Sequence, residues 1–273
     1  MRYEKGSIHL SEARDVPLLR QVFHSAYATR DQLYEFMRLQ GRERALAAFR
    51  MRLARLVKHG LIDRVASPHV SQSLYAISRP GVDVLVDRGV PYAGRGCGLD
   101  RPVTTASHAL QLNAMHLALL RSGQLQEWIP ETEIYSRNTL TSWSFAKDYD
   151  AVVAIAGQRQ PAITFALEYE RSQKTEAEYQ NIVIALNRET QVDFVLYATA
   201  TSHLSAKLSA ALRHCRQSIA ICAATDLIAQ MFEVSVLLIG EQWRMTLREL
   251  VELKRGVKSA SAAPPSAVTA SRR

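Results

Sequence analysis

With 273 residues, 47% of them apolar and 22% charged, the chain is long enough to bury one large core or two ordinary ones. No apolar run approaches the roughly 18 residues of a spanning helix, and charges within Met1 to Ser11 break up the apolar block that a signal peptide needs, so a cytoplasmic protein with no membrane association is expected. Three scattered cysteines, Cys97, Cys215 and Cys222, exclude a disulfide framework and fit a reducing compartment.

The formal net charge of +8 favours anionic partners. Its distribution is uneven. Residues 1 to 95 hold 16 basic and 9 acidic side chains, a net +7, which suggests a basic module attached to a nearly neutral remainder. The turn-rich stretch from Gly89 to Gly98 divides the two patterns. The expected organisation is a DNA-binding module over 12–90, a linker over 91–104, an α/β domain over 105–256 and a tail over 257–273 without a periodic apolar face. The linker glycines do not follow an apolar strand and open a helix, so they do not read as a phosphate loop.

In chain order, Asp15 to Ser25 carries Val16, Leu19, Val22 and Phe23 at helical spacing. Thr29 is a good N-cap for a second helix bearing Leu33, Phe36 and Met37. A third runs from about Arg42 to His59 and stops at Gly60. Two short strands, 61–65 and 73–77, then flank a polar tip, and a strand, turn and closing helix follow over 75–86. Three helices followed by a hairpin is the order of a winged helix-turn-helix.

The third helix can be laid out at about 100° per residue from Arg44. Leu46, Phe49, Leu53, Leu56 and Val57 fall on one apolar stripe, whereas Arg44, Arg52, Arg55, Lys58 and His59 fall on the opposite side. Glu43 is the one acid of the segment, against six cations. A face of single sign matches a helix lying against double-stranded DNA, with arginine suited to bidentate contacts. The expected contact set is Arg42, Arg44, Arg52, Arg55, Lys58, His59 and Arg64, with His69 and Arg79 as further phosphate contacts from the hairpin or its base. The competing reading is a solvated basic face on a helical bundle. Winged-helix modules often dimerise, so a homodimer is also expected.

From Thr104 the pattern changes to helix 107–120, strands 150–155, 162–170 and 193–197, a helix opened by the capping box Thr175 to Glu178, a helical 203–215 region and a strand-like 232–239 region. Such alternation predicts an α/β sandwich with a mixed sheet. In the second strand Glu168 and Glu170 project from one face, and Asp150 lies beside them if the first two strands pair. Three converging carboxylates need protonation, basic partners or a hard cation, for which Mg²⁺ (or Mn²⁺) is the natural candidate. The alternative is a set of salt bridges to Arg171, Lys174 or a neighbouring helix.

The stretches 56–62, 108–113, 128–131, 149–151 and 167–171 together resemble the replication-relaxation and plasmid-mobilisation (MobC-like) family, over roughly Asp15 to Ile239. Members of that family pair a winged helix with a domain similar to PD-(D/E)xK nucleases. The resemblance implies an endonuclease or nickase acting in plasmid transfer or replication, with other DNA-processing proteins of a relaxosome as partners. By position, Asp150 is the implied nuclease aspartate and Glu168 the first acid of the (D/E)xK element. Glu170 stands where lysine belongs, and Lys174 or Arg171 is a candidate replacement for that charge. A non-catalytic DNA-binding accessory factor or transcriptional regulator with a degenerate nuclease fold is the second reading. No zinc spacing, Walker loop, serine elbow or His-x-His pair is present.

Overall fold

The computed structural model describes residues 8–67, 70–94, 102–157, 161–241 and 243–262. The first half opens with α1 (Asp15–Ser25), a two-residue strand β1 (Ala28–Thr29), α2 (Arg30–Leu39) and α3 (Leu46–Lys58). The hairpin β2 (Ile62–Ser67) and β3 (Val70–Ile77) and the closing helix α4 (Arg79–Val86) complete it. β1, β3 and β2 form an antiparallel sheet in that order. Thr29 caps α2 through a capping box with Gln32, which satisfies two otherwise orphaned backbone donors. The apolar stripe of α3 behaves as its spacing predicts: Phe49, Leu53 and Leu56 are buried against α1 and α2 residues such as Leu19, Val22 and Met37. His69, at the hairpin tip, lies outside the described residues.

The second half is a seven-stranded mixed sheet in the order β10-β9-β8-β7-β6-β5-β4. In chain order its elements are α5 (Ala106–Arg121), β4 (Leu125–Pro130), α6 (Glu131–Leu140), β5 (Ala151–Ile155), β6 (Ile163–Glu170), α7 (Glu176–Leu186) and β7 (Phe194–Thr199). They continue with α8 (Ser202–Leu212), β8 (Ile219–Ala223), α9 (Ala224–Gln230), β9 (Ser235–Leu238), β10 (Arg244–Thr246) and α10 (Leu247–Ala262). β6, β7 and β8 run parallel, and the other neighbours are antiparallel. One face of the sheet packs on α5, α9 and α10, the other on α6, α7 and α8. Two layers of helix around a sheet with buried parallel strands make an α+β architecture, as expected. The helix α10 extends beyond residue 257, where the sequence pattern suggested that the tail begins.

The two halves are not strung loosely on a linker. Ala106 and Ala109 of α5 share a buried cluster with Tyr27, Leu74 and Ala76. Small side chains there let the helix approach closely. Buried Asn113 donates to the Tyr27 carbonyl at 2.8 Å, and Gln32 Nε2 donates to the Leu110 carbonyl at 2.9 Å. No helix among the described residues is long and apolar enough to cross a membrane.

Candidate nucleic-acid interface and acidic cluster

The cations of α3 divide into two groups. Arg52 Nη1 lies 2.8 Å from Asp15 Oδ1, and its Nε lies 3.1 Å from Glu43 Oε2. Arg55 Nη2 reaches Asp15 Oδ2 at 2.5 Å, and its Nη1 donates to the His9 carbonyl. Asp15 is completely buried at the start of α1, and its Oδ2 also accepts the Ser11 N–H at 2.8 Å. Burial works against the Asp15 carboxylate, but the Ser11 N–H and both guanidiniums outweigh it and lower its pKa. Arg52 and Arg55, expected among the DNA contacts, are thus already engaged by acids of their own chain. The spacing of residues within α3 carries no information about an acid 37 residues before Arg52 and 40 before Arg55.

The outward side of α3 is rotated away from that pair. Ala47, Arg50, Met51, Ala54 and Lys58 are exposed at spacings of three and four, with Arg44 at the helix entrance. Met51 is 70% exposed. Arg44, Arg50 and Lys58 have no ion-pair partner among the described residues. Exposed Met51 and the two alanines were the missed signal: an apolar side chain left in water beside unpaired cations. Arg42 precedes α3 and faces a cleft on the other side of α1. His59 forms the C-cap of α3, and Arg64 on β2 donates to Ser73 Oγ at 2.9 and 2.7 Å. Arg79 pairs with Asp83 at 3.3 Å.

The acidic residues lie at one end of the strands β5 and β6. Ala151 pairs with Leu167, so the antiparallel register carries Asp150 alongside Glu168. Glu168 also pairs in register with Tyr197 on parallel β7. The ends of parallel strands are where α/β folds place ligands. Each acid, however, has its own protein partner. Asp150 Oδ2 accepts the Tyr169 N–H at 2.7 Å and lies 3.3 Å from His108 Nε2. Lys147 donates to Glu168, and Lys174 donates to Glu170. Arg171 instead donates to Ser107.

These contacts set the titration. Burial raises the Asp150 pKa, but hydrogen bonding and charge from His108, the Tyr169 N–H and Lys147 reverse that and bring it below the ordinary carboxylate value. For His108, burial favours the neutral ring, yet Asp150 and the Tyr169 carbonyl prevail and raise its pKa. Glu168 is pushed up to about 7, chiefly by burial and then by the Asp150 charge, against the opposing pull of Lys147 and Lys174. Beside it the Tyr197 hydroxyl is buried without a hydrogen-bond partner among the described residues. Tyr149 donates to Glu189 at 2.9 Å.

The structure thus brings Asp150 and Glu168 together and gives Glu170 a separate partner. Among the described residues no group of three or more histidine, cysteine, aspartate or glutamate side chains is arranged to hold a metal ion. Lys147, which the sequence pattern did not single out, and His108, which it marked only within the 108–113 stretch, are the side chains that contact Glu168 and Asp150. Lys147 lies three residues before Asp150 but 21 before the Glu168 it contacts, and His108 comes from helix α5, so the fold and not the local pattern brings them to these acids.

Comparison with models of known protein families found no match, so the plasmid-mobilisation resemblance rests on its short motifs alone. Comparison with curated proteins likewise found none. Among solved structures, the chain is similar to the restriction endonuclease FokI at 9% identity and a TM-score of 0.28, covering 84% of this chain and 46% of that one. A superposition at that level does not establish a shared fold.

Proposed function

We propose that this chain binds double-stranded DNA through a winged-helix module and serves as a non-catalytic accessory factor or transcriptional regulator. In this reading a degenerate PD-(D/E)xK-like domain supplies the scaffold, and partners are other DNA-processing proteins of plasmid mobilisation or replication. The observation that carries it is the outer face of α3, where Arg44, Arg50 and Lys58 stand unpaired around Ala47, Met51 and Ala54. Cations of this kind meet phosphates or guanine edges, and small apolar side chains approach thymine methyls. The engagement of Glu168 by Lys147 and of Glu170 by Lys174 supports a scaffold role for the second domain. Fluorescence anisotropy on a duplex library tests the interface. Arg50→Ala with Lys58→Ala should weaken binding about ten- to a hundredfold and reduce the salt slope by about 2. Unchanged affinity and slope would refute it.

One observation favours a second reading, a metal-dependent nickase. Lys147 touches Glu168 beside Asp150, placing a cation in the cluster although Glu170 replaces the expected lysine. Asp150 and Glu168 would then hold Mg²⁺ or Mn²⁺, which supplies Lewis acidity, and Lys147 would stabilise charge on the phosphodiester. Supercoiled plasmid distinguishes the readings. Metal-dependent nicking by the wild type, lost in Lys147→Met and Glu168→Gln, selects the enzyme, and intact plasmid with retained binding selects the scaffold.

A further inference from the structure

A cleft between α1 and the outer edge of β4, with α5 as its floor, has a volume of about 750 Å³. That is within the range of roughly 300–1,000 Å³ typical of small-molecule sites. β4 is an edge strand of the sheet, and Leu125, Gln126, Glu127 and Trp128 line the cleft. The cleft belongs neither to the outer face of α3 nor to the acidic cluster.

Its lining has residual positive charge. Glu12 and Glu127 both border it, but Glu12 is held by Arg88 at 2.7 Å and Glu127 lies 3.6 Å from Arg137. Arg20 and Arg42 are exposed on the same walls and have no acidic partner among the described residues. Two unpaired guanidiniums beside a concave wall suit an oxyanion, which each can meet with two parallel N–H donors. The histidines add no charge at neutral pH. His116 is held down to about 3 by burial and then by His24, and His24 to about 4 by burial, with Glu133 opposing and Arg20 assisting.

The remaining wall is aromatic and amide. Trp128 stacks on buried His116 with ring centroids 4.2 Å apart and planes 2° from parallel, and His116 in turn packs on Phe36 at 4.8 Å. This series fixes the indole rigidly at the cleft wall. Gln40 Nε2 donates to Gln21 Oε1 at 3.2 Å, and Gln21 Nε2 donates to Ser25 Oγ at 3.1 Å, so two side-chain amides are pre-set there. An immobilised ring accepts a flat heterocycle at low entropic cost, and fixed amides match its polar edge.

The geometry points to a nucleotide site in this cleft, with Arg20 and Arg42 holding the phosphate and Trp128 packing the base. The phosphate and base have two sources, a free nucleotide or the terminal nucleotide of a single strand. Calorimetric titration of the full chain with dAMP, with inorganic pyrophosphate and with a 5′-phosphorylated single-stranded oligonucleotide decides the matter. An Arg50→Ala, Lys58→Ala background removes binding at α3, so failure of the α3 interface and failure of the cleft remain distinguishable.

The expected result is that dAMP or the oligonucleotide binds, and that Arg20→Ala with Arg42→Ala weakens it at least tenfold at an unchanged melting temperature. Trp128→Leu should weaken dAMP more than pyrophosphate. Binding of dAMP on its own assigns the free nucleotide, whereas oligonucleotide binding that is weakened by Arg20→Ala with Arg42→Ala while dAMP does not bind assigns the strand end. Binding of neither ligand, or binding indifferent to both arginines, overturns the site. Pyrophosphate binding as tightly as dAMP overturns the role given to Trp128. If the arginine pair destabilises the fold, Arg20→Lys with Arg42→Lys keeps the charge and should retain binding of at least one ligand.

Discussion

Replacing Asp15 by asparagine removes one negative charge from the centre of an ion cluster and leaves its volume nearly unchanged. The side chain is 1% exposed and faces Arg52, which is 14% exposed, and Arg55, which is 40% exposed. Removing one member of a fully buried pair costs about 3–5 kcal/mol, because the other charge is left without compensation. Arg52 keeps Glu43 at 3.1 Å and Arg55 can be hydrated, so the expected loss is smaller, about 2–3 kcal/mol. For a fold of this size that lowers the melting temperature by about 4–12 °C. The pH dependence provides a second readout. Asp15 has a lowered pKa in the folded chain, so its contribution is present above the ordinary carboxylate value and is lost as pH falls through the folded one. Melting of wild type and Asp15→Asn, followed by circular dichroism from pH 7 into acid, should show a gap that closes below about pH 4. A gap under about 0.5 kcal/mol at pH 7, or one that persists in acid, would refute the structural role given to the cluster. Arg52→Glu would place a third acid beside Asp15 and Glu43, so weakened DNA binding in that variant would report lost folding, not a lost contact.

Glu168 makes the opposite prediction. Its folded pKa of about 7 lies above the ordinary value, so it contributes stability at low pH that is lost as pH rises from about 4.5 through 7. Glu168→Gln should therefore gain stability relative to wild type between pH 5 and pH 8, and parallel melting curves would contradict this. Gly81→Ala should cost more than about 2 kcal/mol in urea unfolding, since a Cβ there would lie 2.2 Å from the Leu61 carbonyl oxygen and 2.6 Å from Ile77 Cδ1. A neutral result would mean that α4 packs less closely on the hairpin. Tyr197→Phe removes a buried hydroxyl with no hydrogen-bond partner among the described residues, so stability should be unchanged or rise by up to about 1 kcal/mol. A loss above about 1 kcal/mol would show that the hydroxyl is hydrogen-bonded.

Periodicity revealed elements whose stability is local. α1 and both capped helices, with Thr29 and Thr175 at their N-caps, follow the sequence pattern closely. The alternation of β6 likewise put Glu168 and Glu170 on the face shared with Ala166. The short strand β8 escaped notice because Ile219–Ala223 is buried on both faces and shows no alternation. The helix α6 was missed too: Pro130 and a mixed Glu131–Leu140 segment hide a helix with only Thr132, Ile134 and Ser136 buried. The candidate sites were legible as residue types but not as partnerships. Whether an arginine faces solvent or a buried acid depends on a contact across 37 residues for Arg52, and the Lys147 to Glu168 pair spans 21. Such contacts follow from tertiary packing, which single-helix geometry does not contain.

Helix α5 belongs to the core of the sheet domain through Met115, Ala118 and Leu119, and at the same time closes the apolar surface around Tyr27 and Leu74. A chain cut at the glycine-rich stretch would strip that covering from the front portion and leave the Tyr27 carbonyl without its Asn113 donor. Heating the intact chain should consequently melt both portions in one step. A load taken up by the front portion therefore reaches the sheet through α5, the helix that both portions pack against.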